Sequence, residues 1–441
     1  MSNTQENPSE KSKDPFNVAV LVVGDLNRSP RMLNHCIALT EAYDNINEVS
    51  LIGFNGGDIR NDIASNPKIK QYYIPMAINN ILRKLPRFFF FLSAFIKIII
   101  QTLSIFYILF KVPKPKFLIL QNPPGIPSIL ICWIFCRIRG TKFIIDWHNY
   151  GYTILQVNKR NKLIVKLAYY YEKFLSTKSD MNFCVSQAEK RDLKKQFSIE
   201  AICLPDKPVK GLFKFLNEKE AKKLYSKYNE LKPLLTEKKE EKPITLISST
   251  SWTPDEDFGM LLNCFIKTEE ILKSDDKIDI NKLKKVIILI TGRGPMRDEF
   301  MDKVEKAKLE IFDVKSIWLD SDDYPKLLNL CDLGISLHYS SSGIDLPMKV
   351  VDMFSACLPA AAVYYDTIKE LVLDDENGFI FKNENDLCKI LKNVILEISN
   401  TGKCEKLIKY RDFLKKQLDD ENWVAQWIKR VKPSIEKKGF I

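Results

Sequence analysis

Short apolar runs alternating with helical patterns constrain this chain more than any other feature. Residues 17–23 form one such run, ending at Gly24. It reads as a buried parallel strand, followed by a loop and a helix from about Ser29 to Tyr43. Similar runs recur at 48–54, 117–121, 142–147 and 181–185. The alternation restarts at 243–248 and continues at 286–291, 316–319, 333–336 and 360–363. Strand–helix alternation implies a parallel sheet with helices on both faces. The chain is therefore expected to be α/β, with two doubly wound, Rossmann-like units. An extended Pro-containing segment, Leu204-Pro205-Asp206-Lys207-Pro208, marks the boundary. The expected organisation is a disordered tail over 1–15, a first unit over 16–204, a second over 205–401, and helices over 402–441 packing back toward the first unit.

A chain of 441 residues, 45% of them hydrophobic, is long enough for two sizeable cores. Its net charge of +11 suits an anionic partner, such as phosphate groups or an acidic membrane surface. Nucleic acid is excluded as a partner, because the lysines are scattered among Glu and Asp and no binding motif is present. The ten cysteines sit mostly in apolar context without regular spacing, which reads as reduced core thiols in a reducing compartment. With only His35, His148 and His338, a His-rich metal site is not expected. The polar residues 1–15 carry no apolar core of a signal peptide.

Residues 88–110 break the soluble pattern, with a run of four Phe and a run of three Ile. The length matches the roughly 20 apolar residues of a membrane span. Lys97 interrupts the middle, at a cost of about 2.5–3.5 kcal/mol on insertion scales, and basic residues flank both ends. A helix lying in the membrane interface satisfies both observations better than a span. The competing reading is a core helix of the first unit.

The chemistry is expected at strand ends, because ligands of open α/β sheets bind outside the carboxyl ends of the strands. In the second unit, Ser340-Ser341-Ser342-Gly343-Ile344-Asp345-Leu346-Pro347-Met348-Lys349-Val350-Val351-Asp352 reads as a small-residue loop entering a helix. Backbone N–H groups, the helix start and Lys349 form a cradle for a diphosphate. Asp352, three residues on, lies near the same helix face and suits sugar hydroxyls. Read alone, the stretch also fits a Ser-rich turn capping an ordinary helix. Ser249 ends the unit's first strand, and Thr291-Gly292-Arg293-Gly294 ends another; Arg293 suits phosphate or a base. In the first unit, Gly24-Asp25-Leu26-Asn27-Arg28-Ser29-Pro30-Arg31 opens a helix, with Ser29 as N-cap and Pro30 at its first position. Arg28 and Arg31 there suit a second diphosphate. Asp146-Trp147-His148-Asn149-Tyr150 ends another strand, and Gln121-Asn122-Pro123-Pro124-Gly125 shapes the pocket beside it. Asp320-Ser321-Asp322 has the form of a metal-binding pair but reads as helix-capping acid.

On these stretches, together with Ser248-Ser249-Thr250-Ser251-Trp252 and Asp255-Glu256-Asp257-Phe258, the chain resembles glycosyltransferase family 33. The resemblance covers nearly the whole chain in order. It implies the GT-B fold, with two Rossmann-like domains facing across a cleft. It implies GDP-mannose as donor and N,N′-diacetylchitobiosyl-diphosphodolichol as acceptor, on the cytosolic face of the endoplasmic reticulum membrane. The product is the β1,4-linked first mannose of the N-glycan precursor, formed with inversion. Other mannosyltransferases of the same pathway are implied as partners. Family members usually carry a membrane segment before the first strand; here anchoring would rest on 88–110.

An inverting transfer needs a base for the acceptor hydroxyl and stabilisation of the leaving GDP. No metal and no cofactor is expected, so leaving-group charge falls on Lys349, Arg293 and the backbone around Ser341, Ser342 and Gly343. Ser249, Gly292, Gly294, Asp345 and Asp352 complete the donor site. Asp25 is the favoured base and His148 its rival; Arg28 and Arg31 hold the acceptor diphosphate. A family 4 glycosyltransferase, an inert membrane scaffold and a dehydrogenase are the alternatives. The first lacks support in 249–257, the second conflicts with intact Gly343, Lys349 and Asp352, and the third with the absence of Gly-x-Gly-x-x-Gly from the first loop.

Overall fold

The computed structural model describes residues 14–75, 90–157, 160–209, 213, 215–236, 241–253, 256–320, 322–340 and 343–441. Most of the tail over 1–15, the start of the 88–110 segment, and Ser341 and Ser342 lie outside the described residues. The chain divides into two units, Met1–Leu204 with Val424–Ile441, and Pro205–Trp423. The helix Glu405–Asp420 stays with the second unit, so the return to the first begins at Val424 rather than at 402.

The first unit holds seven parallel strands: β1 (Phe16–Asp25), β2 (Ile46–Phe54), β3 (Ile69–Tyr73), β4 (Phe117–Asn122), β5 (Lys142–Trp147), β6 (Met181–Cys184) and β7 (Ile202–Cys203). Their order is β3-β2-β1-β4-β5-β6-β7. The direction of winding reverses between β1 and β4, which places the crevice of this sheet at the loops after those two strands. The second unit holds six: β8 (Ile244–Ser249), β9 (Val286–Thr291), β10 (Phe312–Ile317), β11 (Leu333–Ser336), β12 (Ala360–Val363) and β13 (Gly378–Phe381), in the order β10-β9-β8-β11-β12-β13. Here the reversal falls between β8 and β11.

The central strands are apolar without a break because helices cover both faces. Val286, Ile288 and Ile290 of β9 enter one core layer, and Ile287 and Leu289 enter the other. Strands β3, β7 and β13 were not expected from the sequence, and β10 lies earlier than the expected 316–319. All four are sheet edges. On β10, buried Phe312 and Val314 alternate with half-buried Asp313 and Lys315, so no continuous apolar run marks the strand. Gly334 on β11 lets the helix Met348–Ser355 pack tightly, since a Cβ there would stand 2.4 Å from the Met353 sulfur.

All ten cysteines are buried free thiols. The helix Phe90–Lys111 has two apolar faces. Ile105, Ile108 and Leu109 are buried against the unit, whereas Leu103 and Tyr107 are exposed. Among the described residues no helix is long and apolar enough to cross a membrane.

Candidate active site

The carboxylate of Asp146, at the end of β5, is fully buried and accepts four hydrogen bonds. Arg31 donates from Nε to Oδ2 and from Nη2 to Oδ1, both at 2.8 Å. His35 Nε2 lies 3.1 Å and His148 Nε2 3.0 Å from Oδ2. Burial alone would raise the Asp146 pKa, but the Arg31 charge and the two imidazoles outweigh it and hold the carboxyl well below its usual range. An ionised carboxylate only accepts, so each imidazole carries its proton on Nε2. Trp427 Nε1–H, which only donates, points at His35 Nδ1 at 3.1 Å. His35 is therefore neutral, and its burial lowers its pKa in agreement.

Arg31 is not available to a diphosphate. Its side chain is 3% exposed, and Nη1 donates to the Leu204 carbonyl at 2.8 Å. Arg28, three residues earlier, is 82% exposed and stands 3.8 Å from the half-exposed Asp25 carboxylate. Pro30 does begin the helix Pro30–Ala42, but the Ser29 hydroxyl donates to the Asp25 carbonyl at 3.0 Å instead of capping.

His148 is held from a second direction. Its backbone N–H donates to the Asn122 carbonyl at 2.9 Å, joining the loops after β4 and β5. Glu172, buried in the helix Lys162–Ser176, accepts from the backbone of Gly151 at 2.9 Å and Tyr152 at 3.2 Å, and from Asn122 Nδ2 at 3.3 Å. Its pKa is raised by burial, against the pull of these donors. Gly125 and Gly151 leave room for this carboxylate. Tyr150 and Tyr152 pack with Trp147 and Phe197, so they brace the loop.

In the second unit, Lys349 pairs with Glu256, whose other oxygen accepts from Thr250 Oγ1. Glu256 is buried, and Lys349 is 18% exposed. Gly292 (φ +124°) and Gly294 let the loop after β9 lie on the loop after β8; Cβ atoms there would meet the Thr250 and Ser251 carbonyl oxygens at 1.8 and 1.9 Å. The close approach they permit in this structure is thus to neighbouring backbone. Arg293 stacks on the half-exposed Trp318 ring at 4.0 Å. Ser249 Oγ lies 2.9 Å from Tyr324 Oη, whose pKa rises through burial and then through Asp352. Asp345 pairs with Ser340 and, at 3.6 Å, with His338 Nε2; burial raises its pKa, but these partners bring it below the usual value. Gly343 adopts φ +74° while its N–H donates to Ser340 Oγ at 2.8 Å. Asp320 pairs with Lys227. Among the described residues no group of three or more His, Cys, Asp or Glu is arranged to hold a metal ion.

Ser249 thus ends β8, Gly292, Arg293 and Gly294 follow β9, and Gly343, Asp345, Lys349 and Asp352 lie on the loop and helix after β11; the three strands are neighbours in one sheet. Asp25 and His148 lie at the same end of the first unit's sheet. Glu256, Trp318 and Tyr324 were missed as site residues, as were Glu172 and His35. Only the acid run 255–257 carried a signal for any of them.

Stability should record the neutral His35. Its folded pKa lies below 6.5, so between 6.5 and that lower value the unfolded chain binds a proton that the fold refuses. The contribution is complete above 6.5 and is lost as pH falls. The wild-type stability should therefore drop relative to His35→Gln by up to about 1.4 kcal/mol per pH unit below 6.5, measured by urea unfolding. Gln keeps a donor for Asp146 and an acceptor for Trp427; parallel pH profiles would contradict the assignment.

No family model matches the chain. In fold it is similar to a glycosyltransferase from Rickettsia africae (TM-score 0.66, 13% identity, 97% of this chain and 98% of that one). It is also similar to sucrose-phosphate synthase from Thermosynechococcus elongatus (TM-score 0.65, 12% identity, 97% and 99%). These likenesses place the fold in the GT-B class. By sequence it is 34% identical to chitobiosyldiphosphodolichol β-mannosyltransferase of Dictyostelium discoideum, over 94% of this chain and 93% of the relative. It is 33% identical to the human protein of that name, over 95% and 92%. An Arabidopsis thaliana protein named UDP-glycosyltransferase TURAN is 30% identical, over 94% and 96%. Full-length similarity at this level shows that the chain belongs to the chitobiosyldiphosphodolichol β-mannosyltransferase family.

Proposed function

We propose that this chain transfers mannose from GDP-mannose to a chitobiosyl-diphospho-dolichol, forming a β1,4 linkage with inversion, at the cytosolic face of the endoplasmic reticulum membrane. The full-length relatives named for this acceptor carry the reading. The second unit supplies what a nucleotide-sugar needs: Lys349 held by Glu256, Arg293 braced on Trp318, and Asp352 one helical turn from Lys349. These two cations take the charge of the departing diphosphate, without a metal ion, since the Gly343 N–H is already spent on Ser340 Oγ. Arg28 is left to meet the acceptor's diphosphate, since Arg31 is committed to Asp146.

The acceptor hydroxyl attacks C1 of mannose on the face opposite the diphosphate. The C1–O bond to phosphate breaks, GDP leaves, and the hydroxyl proton passes to a base. Geometry favours His148 over Asp25 for that base. Asp146 fixes the His148 Nε2 proton and so turns the lone pair of the neutral ring to Nδ1, the arrangement of a base oriented by a carboxylate. Asp25 has only the loose 3.8 Å contact to Arg28.

Purified chain given GDP-mannose and a chitobiosyl-diphospho-lipid should form the mannosylated lipid, with the same yield in a chelator. Product from a UDP-sugar alone, in line with the Arabidopsis relative's name, would overturn the donor assignment. His148→Gln should cut kcat by about 10²–10⁴-fold with GDP binding retained, against a smaller loss for Asp25→Asn. The reverse ranking would return the role to Asp25.

A further inference from the structure

The helix Lys162–Ser176 is apolar on the side its unit leaves open. Ala168, Glu172 and Leu175 are buried and define its inner face. At about 100° per residue, Leu163, Leu167, Tyr170 and Phe174 fall within an arc of about 60° opposite Glu172. That outer arc normally carries polar residues, yet these four are 63, 61, 54 and 64% exposed. Lys162, Lys166 and Lys173 line one flank of the arc. Lys178, just past the helix, lies over the Phe174 ring at 4.9 Å.

The character of the surface continues onto neighbouring helices. Ser128–Arg139 packs against both Lys162–Ser176 and Phe90–Lys111. Ile138, Leu103 and Tyr107 on these helices are exposed as well. Neither neighbour contains an acidic residue, and the single one in Lys162–Ser176, Glu172, is turned inward to Gly151 and Tyr152. The cations Lys111, Arg137 and Arg139 accompany the three lysines. Apolar side chains with cations and no outward carboxylate match an anionic bilayer, where rings and leucines sink below the headgroups and ammonium groups meet phosphates. A protein partner would need an acidic patch of matching outline around an apolar centre, whereas an anionic bilayer offers negative charge all along such a rim.

We propose that Lys162–Ser176 is a membrane-docking helix that lies in the plane of an anionic lipid surface. The inference rests on the lipid-acceptor reading for its purpose, while its geometry stands apart from it. Through Glu172 the same helix holds the loop carrying His148, so docking and the candidate base share one rigid element.

The test is flotation of the full chain with phosphatidylcholine vesicles containing or lacking phosphatidylserine. Wild type should float with the anionic vesicles. Leu163→Ser/Leu167→Ser/Phe174→Ser should reduce that binding at least about tenfold. Lys162→Glu/Lys166→Glu should erase the preference for anionic lipid. Both variants alter exposed side chains, and unchanged thermal melting would confirm intact folds. Transfer to a short-prenyl, water-soluble acceptor should survive in the triple variant. Wild-type flotation by both variants would overturn the proposal. So would a triple variant that floats normally but loses a self-association seen by sedimentation, which makes the face a protein interface. A wild type that floats yet mannosylates no acceptor supports docking while overturning the transferase reading.

Discussion

The first unit depends on one carboxylate out of contact with water. Asp146 closes on Arg31 in a two-pronged pair, and Arg31 reaches on to the Leu204 carbonyl. Through His35 the same carboxylate is linked to Trp427 in the returning segment Val424–Ile441. The helix after β1, the end of β5, the last residue before the chain leaves the unit and the segment that comes back are thereby tied to one group. Removing one partner of such a buried pair typically costs about 3–5 kcal/mol, because the other is left charged and unsolvated. His148 is the fourth donor, and it alone of the four is partly open, at 24% exposed. An anchor of the fold is thus also the group that orients the candidate base.

The second unit stores its charge differently. Lys349 is neutralised in place by Glu256, and Glu256 is held by Thr250. Thr250 sits in a loop against which the β9 loop packs only because Gly292 and Gly294 lack side chains. Glycine, loop contact, threonine, glutamate and lysine form one chain of dependence. Its effect is to fix the ammonium before a ligand arrives, so that less rotamer entropy remains to be lost on binding. Arg293 gains the same advantage by stacking on Trp318.

The sequence shows the fold's centre and hides its margins. β1, β4, β5, β8, β9, β11 and β12 announce themselves because burial on both faces demands unbroken apolar runs. The edge strands β3 and β10 are half exposed and β7 has two residues, so they leave no such run; β13 is mostly buried, but after Gly378 its apolar run is only Phe379-Ile380-Phe381. The strand-end loops were legible for the same reason as the strands. Which way a side chain turns was not. Arg28 and Arg31 look alike in sequence, yet one helical turn separates an exposed cation from one sunk against Asp146. The Glu256–Lys349 and Ser249–Tyr324 pairs lie 93 and 75 residues apart, and His35 sits in an apolar helix that offers no hint of a carboxylate. Nothing local encodes such contacts.

The central claim, that Asp146 sets both imidazoles, is open to direct reading because the chain has only three histidines. Long-range nitrogen–proton NMR of 15N-histidine-labelled protein, at a pH where the rings are neutral, reports which nitrogen of each carries the proton. The account requires His35 and His148 both to be protonated on Nε2, with His148→Gln and His35→Gln assigning the signals. A His148 ring protonated on Nδ1 would contradict it.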